Sequence, residues 1–138
     1  MKDSSFKTKS VREGHQSSNE QEHSAAIFLT SSYCFDSAEQ AAERFETNQG
    51  NVYSRFTNPT VSSFQDKLAA LEGAEKCQAT ASGMSAIFAT IMTILRPGEH
   101  MGASRCMFGT TIVLLNRIIE KFGIKVTFVD LPDLDGWK

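Results

Sequence analysis

The chain has 138 residues, enough for one ordinary domain with a real core. Apolar residues make up 41% and the formal charge is −2, a balance that offers no bulk attraction to nucleic acid or to an anionic membrane. No apolar run reaches the roughly 20 residues of a membrane-spanning helix, and the polar start has no apolar signal core, so the cytoplasm is the expected compartment.

Residues 1–24 are rich in Ser, Lys, Glu, Gln and Asn, and are expected to be disordered or to pack as an arm on something else. His15 and His23, both in this arm, are expected to be solvated. Residues 25–35 turn apolar and hydroxyl-rich, which suggests an extended segment. Ser37 then caps a short helix over Ala38 to Phe45, and residues 46–51 form a loop by their turn chemistry. Asn58-Pro59 opens the next helix, with a cap and a residue pre-shaped for the first helical position. Val61, Phe64, Leu68 and Leu71 give it one apolar face, and Gly73 ends it.

Cys77 to Ala81 reads as a strand, and the apolar residues from Met84 to Leu95 as a helix apolar over a wide arc, hence buried. Arg96-Pro97-Gly98 breaks that helix and Glu99 to Ser104 reads as a short strand. A further helical pattern follows in Thr111, Leu115, Ile118, Ile119 and Phe122, closed by Gly123. Ile124 to Val129 is strand by its β-branched and aromatic content. The order from Cys77 is β-α-β-α-β, which predicts an α/β fold with a parallel sheet and right-handed crossovers. The sheet is short for a doubly wound fold, so the chain is expected to be a truncated piece. The expected divisions are the arm 1–24, a segment 25–76 and an α/β domain 77–138.

The three cysteines, Cys34, Cys77 and Cys106, are spaced too widely for a zinc knuckle or a redox pair, and reduced, partly buried thiols are expected. No histidine shows metal-ligand spacing, and no metal site is expected.

Three stretches carry chemistry. At Ser82-Gly83-Met84 a strand-to-helix turn aims backbone N–H groups at one spot; Gly83 lets an anion approach and the Ser82 hydroxyl adds a donor. Alone, such a turn serves packing more often than anion binding. The three-glycine dinucleotide pattern and the Gly-Lys-Ser/Thr phosphate loop are both missing, which argues against nicotinamide and nucleoside triphosphates. In Tyr53-Ser54-Arg55 a guanidinium can grip a phosphate through two N–H bonds and the phenol adds a third donor, although a solvated loop arginine beside a packing tyrosine has the same signature. At a second strand-to-helix turn, Phe108-Gly109, the aromatic face can lie on a flat ring or can simply fill core.

Tyr53-x-Arg55 followed by Asn58-Pro59-Thr60, with Ser82-Gly83-Met84 downstream, resembles the trans-sulfuration family of pyridoxal-phosphate enzymes, the Cys/Met-metabolism group. The look is nearest to its bacterial O-succinylhomoserine sulfhydrylases. Many relatives have Tyr-Gly at the second turn; Phe108 keeps the ring and lacks the hydroxyl, as in the sulfhydrylases. Residues 46–50 are less family-like, since many relatives are acidic and Gly-rich there.

The resemblance implies part of a fold type I large domain, pyridoxal 5'-phosphate as cofactor, and Tyr53, Arg55, Ser82, Gly83, Met84 and Phe108 as cofactor-binding residues. It implies a homo-oligomer, dimer or tetramer, in which Tyr53 and Arg55 reach the cofactor phosphate of a neighbouring subunit. It also implies homocysteine synthesis from sulfide and O-succinylhomoserine, with release of succinate, in methionine biosynthesis. The family's cofactor-bearing lysine, its pyridine-nitrogen aspartate and its carboxylate-binding arginine would all follow Lys138. No catalytic residue is therefore assigned, and the chain alone is expected to be inactive. Lys67, Lys76, Lys121 and Lys125 read as solvated and as poor substitutes. The alternative reading is a non-catalytic partner that assembles with a full-length homologue and modulates it.

Overall fold

The computed structural model describes residues 4–15, 17–47 and 49–138. Met1 to Asp3 and Gln16, in the expected arm, and Asn48, in the expected loop, lie outside them. The chain divides into two compact units, Met1–Ala79 and Thr80–Lys138.

In the first unit the arm is not featureless. Helix α1 spans Phe6–Arg12, capped by the Ser5 hydroxyl, which accepts from the Thr8 N–H. It lies against α3, Pro59–Glu72. Gly14 follows α1 with φ +72°, and a Cβ there would collide with the Ser63 backbone carbonyl and crowd Lys67. Only glycine combines that left-handed turn with so close an approach. His15 is half-buried rather than solvated: Nε2 lies 2.9 Å from the Glu22 carbonyl oxygen, and Nδ1 is buried with no partner among the described residues. Ser18 donates through its N–H (2.8 Å) and hydroxyl (2.7 Å) to the Glu22 carboxylate.

Helix α2 covers Ala38–Thr47, two residues beyond the expected end and into the expected loop, because Thr47 folds its hydroxyl back to the Glu43 carbonyl at 2.8 Å. Its first turn is capped as expected, by Ser37 accepting from the Gln40 N–H at 3.1 Å. Helix α3 has both expected ends, an Asn58 cap with Pro59 behind it and Gly73 at φ 65°. Its apolar face is only partly used: Val61 and Phe64 are exposed, and the buried position is Ala69.

In the second unit helix α4, Gly83–Ile94, leads to β1, His100–Ser104. Helix α5, Gly109–Arg117, is continued by a 3-10 turn, Ile119–Phe122, that ends on Gly123 at φ 77°. Strand β2, Lys125–Val129, pairs parallel to β1, with His100 opposite Lys125 and Ser104 opposite Val129. Leu115, Ile119 and Ile124, each 1% exposed or less, centre a core that includes Ile91, Ala103 and Leu114. Burial of the leucine and isoleucine side chains, each contributing ~1.5–3 kcal/mol, is what holds helix, turn and strand together. The turns after β2 fold Trp137 over Gly102 of β1, and its indole N–H donates to the Asp130 carbonyl at 3.2 Å.

The fold is α/β with a small parallel sheet, but the expected first strand is corrected. Residues 77–81 belong to no helix and form no ladder among the described residues; the Ala79 N–H donates instead to the Gln65 side chain at 2.8 Å. A strand requires an edge to pair with, and none meets this segment among the described residues. The expected all-round burial of α4 is corrected too: Ile91 is buried, while Ile94 is 69% exposed, because core covers one face only. The thiols also differ from expectation: Cys34 and Cys106 are exposed, and only Cys77 is half-buried. Among the described residues, no helix is long and apolar enough to cross a membrane.

Candidate functional site

The carboxyl ends of β1 and β2 define one edge of the sheet. There the Arg105 N–H donates to the Val129 carbonyl at 3.0 Å, and the Arg105 guanidinium meets the Asp130 carboxylate at 3.2 Å. The ion pair is well exposed and contributes under ~1 kcal/mol; the backbone bond carries the geometry. The loop leaving β1 then delivers Phe108 to the start of α5. Phe108 occupies the cap position with extended backbone and is 78% exposed, so it is not the core residue the alternative reading required. No side chain caps α5.

The start of α4 belongs to the same unit. Ser82 is extended and its hydroxyl accepts from the Ser85 N–H at 3.1 Å, while the Ser82 carbonyl accepts from the Ala86 N–H. These bonds satisfy the deeper amides of the first turn. The N–H groups of Gly83 and Met84 are left without an acceptor among the described residues, at the positive end of the helix dipole. A Cβ on Gly83 would meet nothing within 4 Å, so that side of the turn is uncrowded. Met84 links this helix start to the other: its sulfur lies 3.8 Å from the hydroxyls of both Thr110 and Thr111. Ser82, Gly83 and Met84 are thus gathered with the turn that carries Phe108. The arrangement offers two free amides and an exposed aromatic ring, which fit a phosphate attached to a flat heterocycle.

Tyr53 and Arg55 are brought together in the first unit. Their turn is closed by the Phe56 N–H donating to the Tyr53 carbonyl at 2.8 Å, and Tyr53 bridges to Ser32. The Arg55 guanidinium lies over the Phe56 ring at 4.4 Å and near the Tyr53 ring at 5.8 Å. Such cation–π contacts hold the guanidinium near the rings without using its N–H donors in hydrogen bonds. Phe56 was not singled out in the sequence; an aromatic directly after the arginine was the available signal. Thr110 and Thr111 were also missed, and their contact with Met84 spans too many residues to be read from a local pattern.

Lys76, Lys121 and Lys125 are exposed, and Lys67 is half-buried on α3 beside Gly14.

Residues 7–138 match the family model described as Cys/Met metabolism PLP-dependent enzyme. The O-succinylhomoserine sulfhydrylase of Pseudomonas aeruginosa is 48% identical over 100% of this chain, which spans 34% of that protein. An L-methionine gamma-lyase of Fusobacterium nucleatum is 44% identical over 81% of this chain and 29% of its own length. The chain therefore spans about a third of the length of the curated relatives it matches. Among solved structures, an O-acetylhomoserine (thiol)-lyase of Campylobacter jejuni, determined with N'-pyridoxyl-lysine-5'-monophosphate, superposes with a TM-score of 0.88 at 29% identity. That superposition covers 98% of this chain and 34% of the other. The chain belongs to the Cys/Met metabolism family of trans-sulfuration enzymes, whose cofactor is pyridoxal 5'-phosphate.

Proposed function

We propose that this chain is the phosphate-gripping portion of an O-succinylhomoserine sulfhydrylase. The parent enzyme joins sulfide to the carbon skeleton of O-succinylhomoserine, giving homocysteine and succinate for methionine biosynthesis. The observation that carries the reading is the pair of amides at Gly83 and Met84 without an acceptor among the described residues, on a helix start that Met84 ties to the start of α5. It is supported by the sulfhydrylase name of the relative that matches the chain from end to end. When bound, pyridoxal phosphate supplies the electron sink of the reaction. The residues of this chain hold and orient it: Gly83 and Met84 donate N–H groups to the phosphate, Ser82 shapes the turn and Phe108 backs the ring.

Tyr53 and Arg55 add a phenol and a guanidinium to the phosphate of a neighbouring subunit, so the working form is a homo-oligomer. No lysine here is placed to bear the cofactor, and the chain alone is catalytically incomplete. Its free thiols suit the reducing cytoplasm.

The test uses the 138-residue chain itself. Titration with pyridoxal phosphate should shift the amide resonances of Gly83 and Met84, with inorganic phosphate competing, and O-succinylhomoserine with sulfide should yield no homocysteine. Turnover would overturn the incompleteness. Unmoved Gly83 and Met84 resonances would overturn the phosphate cup.

A further inference from the structure

Asn58 opens α3, but capping accounts for only one of its bonds. Its Oδ1 accepts from the Thr60 N–H at 2.9 Å, the cap. Its Nδ2 donates to the Phe28 carbonyl at 3.1 Å and to the Ser54 hydroxyl at 3.0 Å. Both donors of the amide and one acceptor site of its oxygen are used, and the two ends cannot be exchanged, because a carbonyl oxygen lies on one side and an N–H on the other. Asn58 is 8% exposed, whereas Arg55 and Phe56 above it are exposed. A buried amide therefore sits beneath the turn that presents the cation.

The other bonds at this point converge on the same turn. The Ser54 N–H donates to the Ser31 carbonyl at 2.8 Å, and the Ser54 hydroxyl donates to the Thr30 carbonyl. The Phe28 N–H donates to the Thr60 hydroxyl at 2.9 Å. Asn58 is the residue that touches all three pieces: the extended segment at Phe28, the turn at Ser54 and the first turn of α3. Buried side-chain networks of this kind fix a single arrangement only when every member is satisfied.

We infer that Asn58 is a positioning residue, which holds the Tyr53–Phe56 turn so that Arg55 is presented to the cofactor phosphate. This rests on the phosphate reading of Tyr53 and Arg55 given above. The substitution Asn58→Asp separates positioning from capping. An aspartate keeps the oxygen that caps Thr60, but sets a second oxygen against the Phe28 carbonyl where a donor stood.

Hydrogen exchange on the 138-residue chain should show the Thr60 amide of Asn58→Asp as protected as in the wild type, with helical circular dichroism unchanged. The Ser54 and Phe56 amides should exchange about tenfold faster, the weight of one buried hydrogen bond. Pyridoxal phosphate should bind about tenfold more weakly to Asn58→Asp, and more weakly still to Arg55→Ala. If Asn58→Asp fails to fold, Ser54→Ala, which removes one acceptor and leaves the cap intact, is read by the same exchange measurement. Unchanged exchange at Phe56 in the folded variant overturns the inference. So does unchanged cofactor affinity in Asn58→Asp when Arg55→Ala weakens binding. If Arg55→Ala also binds as the wild type does, the phosphate reading of Arg55 falls, and the inference with it.

Discussion

From Met1 to Ala79 the buried positions among the described residues are Val52, Asn58 and Ala69, and the chain is stitched by side-chain hydrogen bonds from Ser18, Ser37, Ser54, Asn58 and Thr60. From Thr80 to Lys138 the order is reversed: aliphatic side chains of α4, α5, the 3-10 turn and β2 meet in a dry core. The first unit also leaves Tyr33 Oη and His15 Nδ1 buried without partners among the described residues. A hydrophobic core tolerates angular error because it is non-directional, whereas a hydrogen-bonded scaffold specifies direction. The contrast matches what each unit offers: one holds an exposed guanidinium over two aromatic rings, the other a sheet edge with two helix starts.

The largest effect should come from the core. Leu115→Ala should cost ~2–5 kcal/mol in urea unfolding, through lost burial plus the cavity left behind. Val52→Ala, the corresponding deletion in the first unit, should cost only about 1–2 kcal/mol, because it removes two methyl groups' worth of burial. Equal losses for the two would break the contrast. Next in size, Ser82→Ala removes the α4 cap and should cost ~1 kcal/mol, read from the unfolding midpoint. Loss of amide protection at Ser85 should accompany it.

The smallest effect is at Glu22. The Ser18 N–H and hydroxyl hold its carboxyl below the ordinary glutamate value. A depressed folded-state pKa contributes stability that is present above the unfolded value and is lost as pH falls through the folded one. Ser18→Ala should therefore move the Glu22 titration upward and flatten the acid side of the stability profile. A carbon-detected titration that leaves Glu22 unmoved would show that the hydroxyl contributes nothing.

Local chemistry made much of this readable in advance. Asn58-Pro59, Gly73, Ser82 and Gly123 announce helix ends because capping and left-handed turns depend on one or two residues. Residues 77–81 misled, since pairing depends on a distant partner that composition does not reveal. Helix α1 went unseen because Phe6–Arg12 has little apolar periodicity and rests on α3 through Gly14. The helix start at Ser82-Gly83 was visible; the wider bonding of Asn58 was not, because Phe28 lies 30 positions away.

Met84 acts in two ways with different atoms: its amide N–H is left without an acceptor among the described residues at the start of α4, while its thioether rests on Thr110 and Thr111. The starts of α4 and α5 are thereby tied by one flexible, unbranched side chain. Shortening that chain would spare both helices and loosen the tie between their first turns.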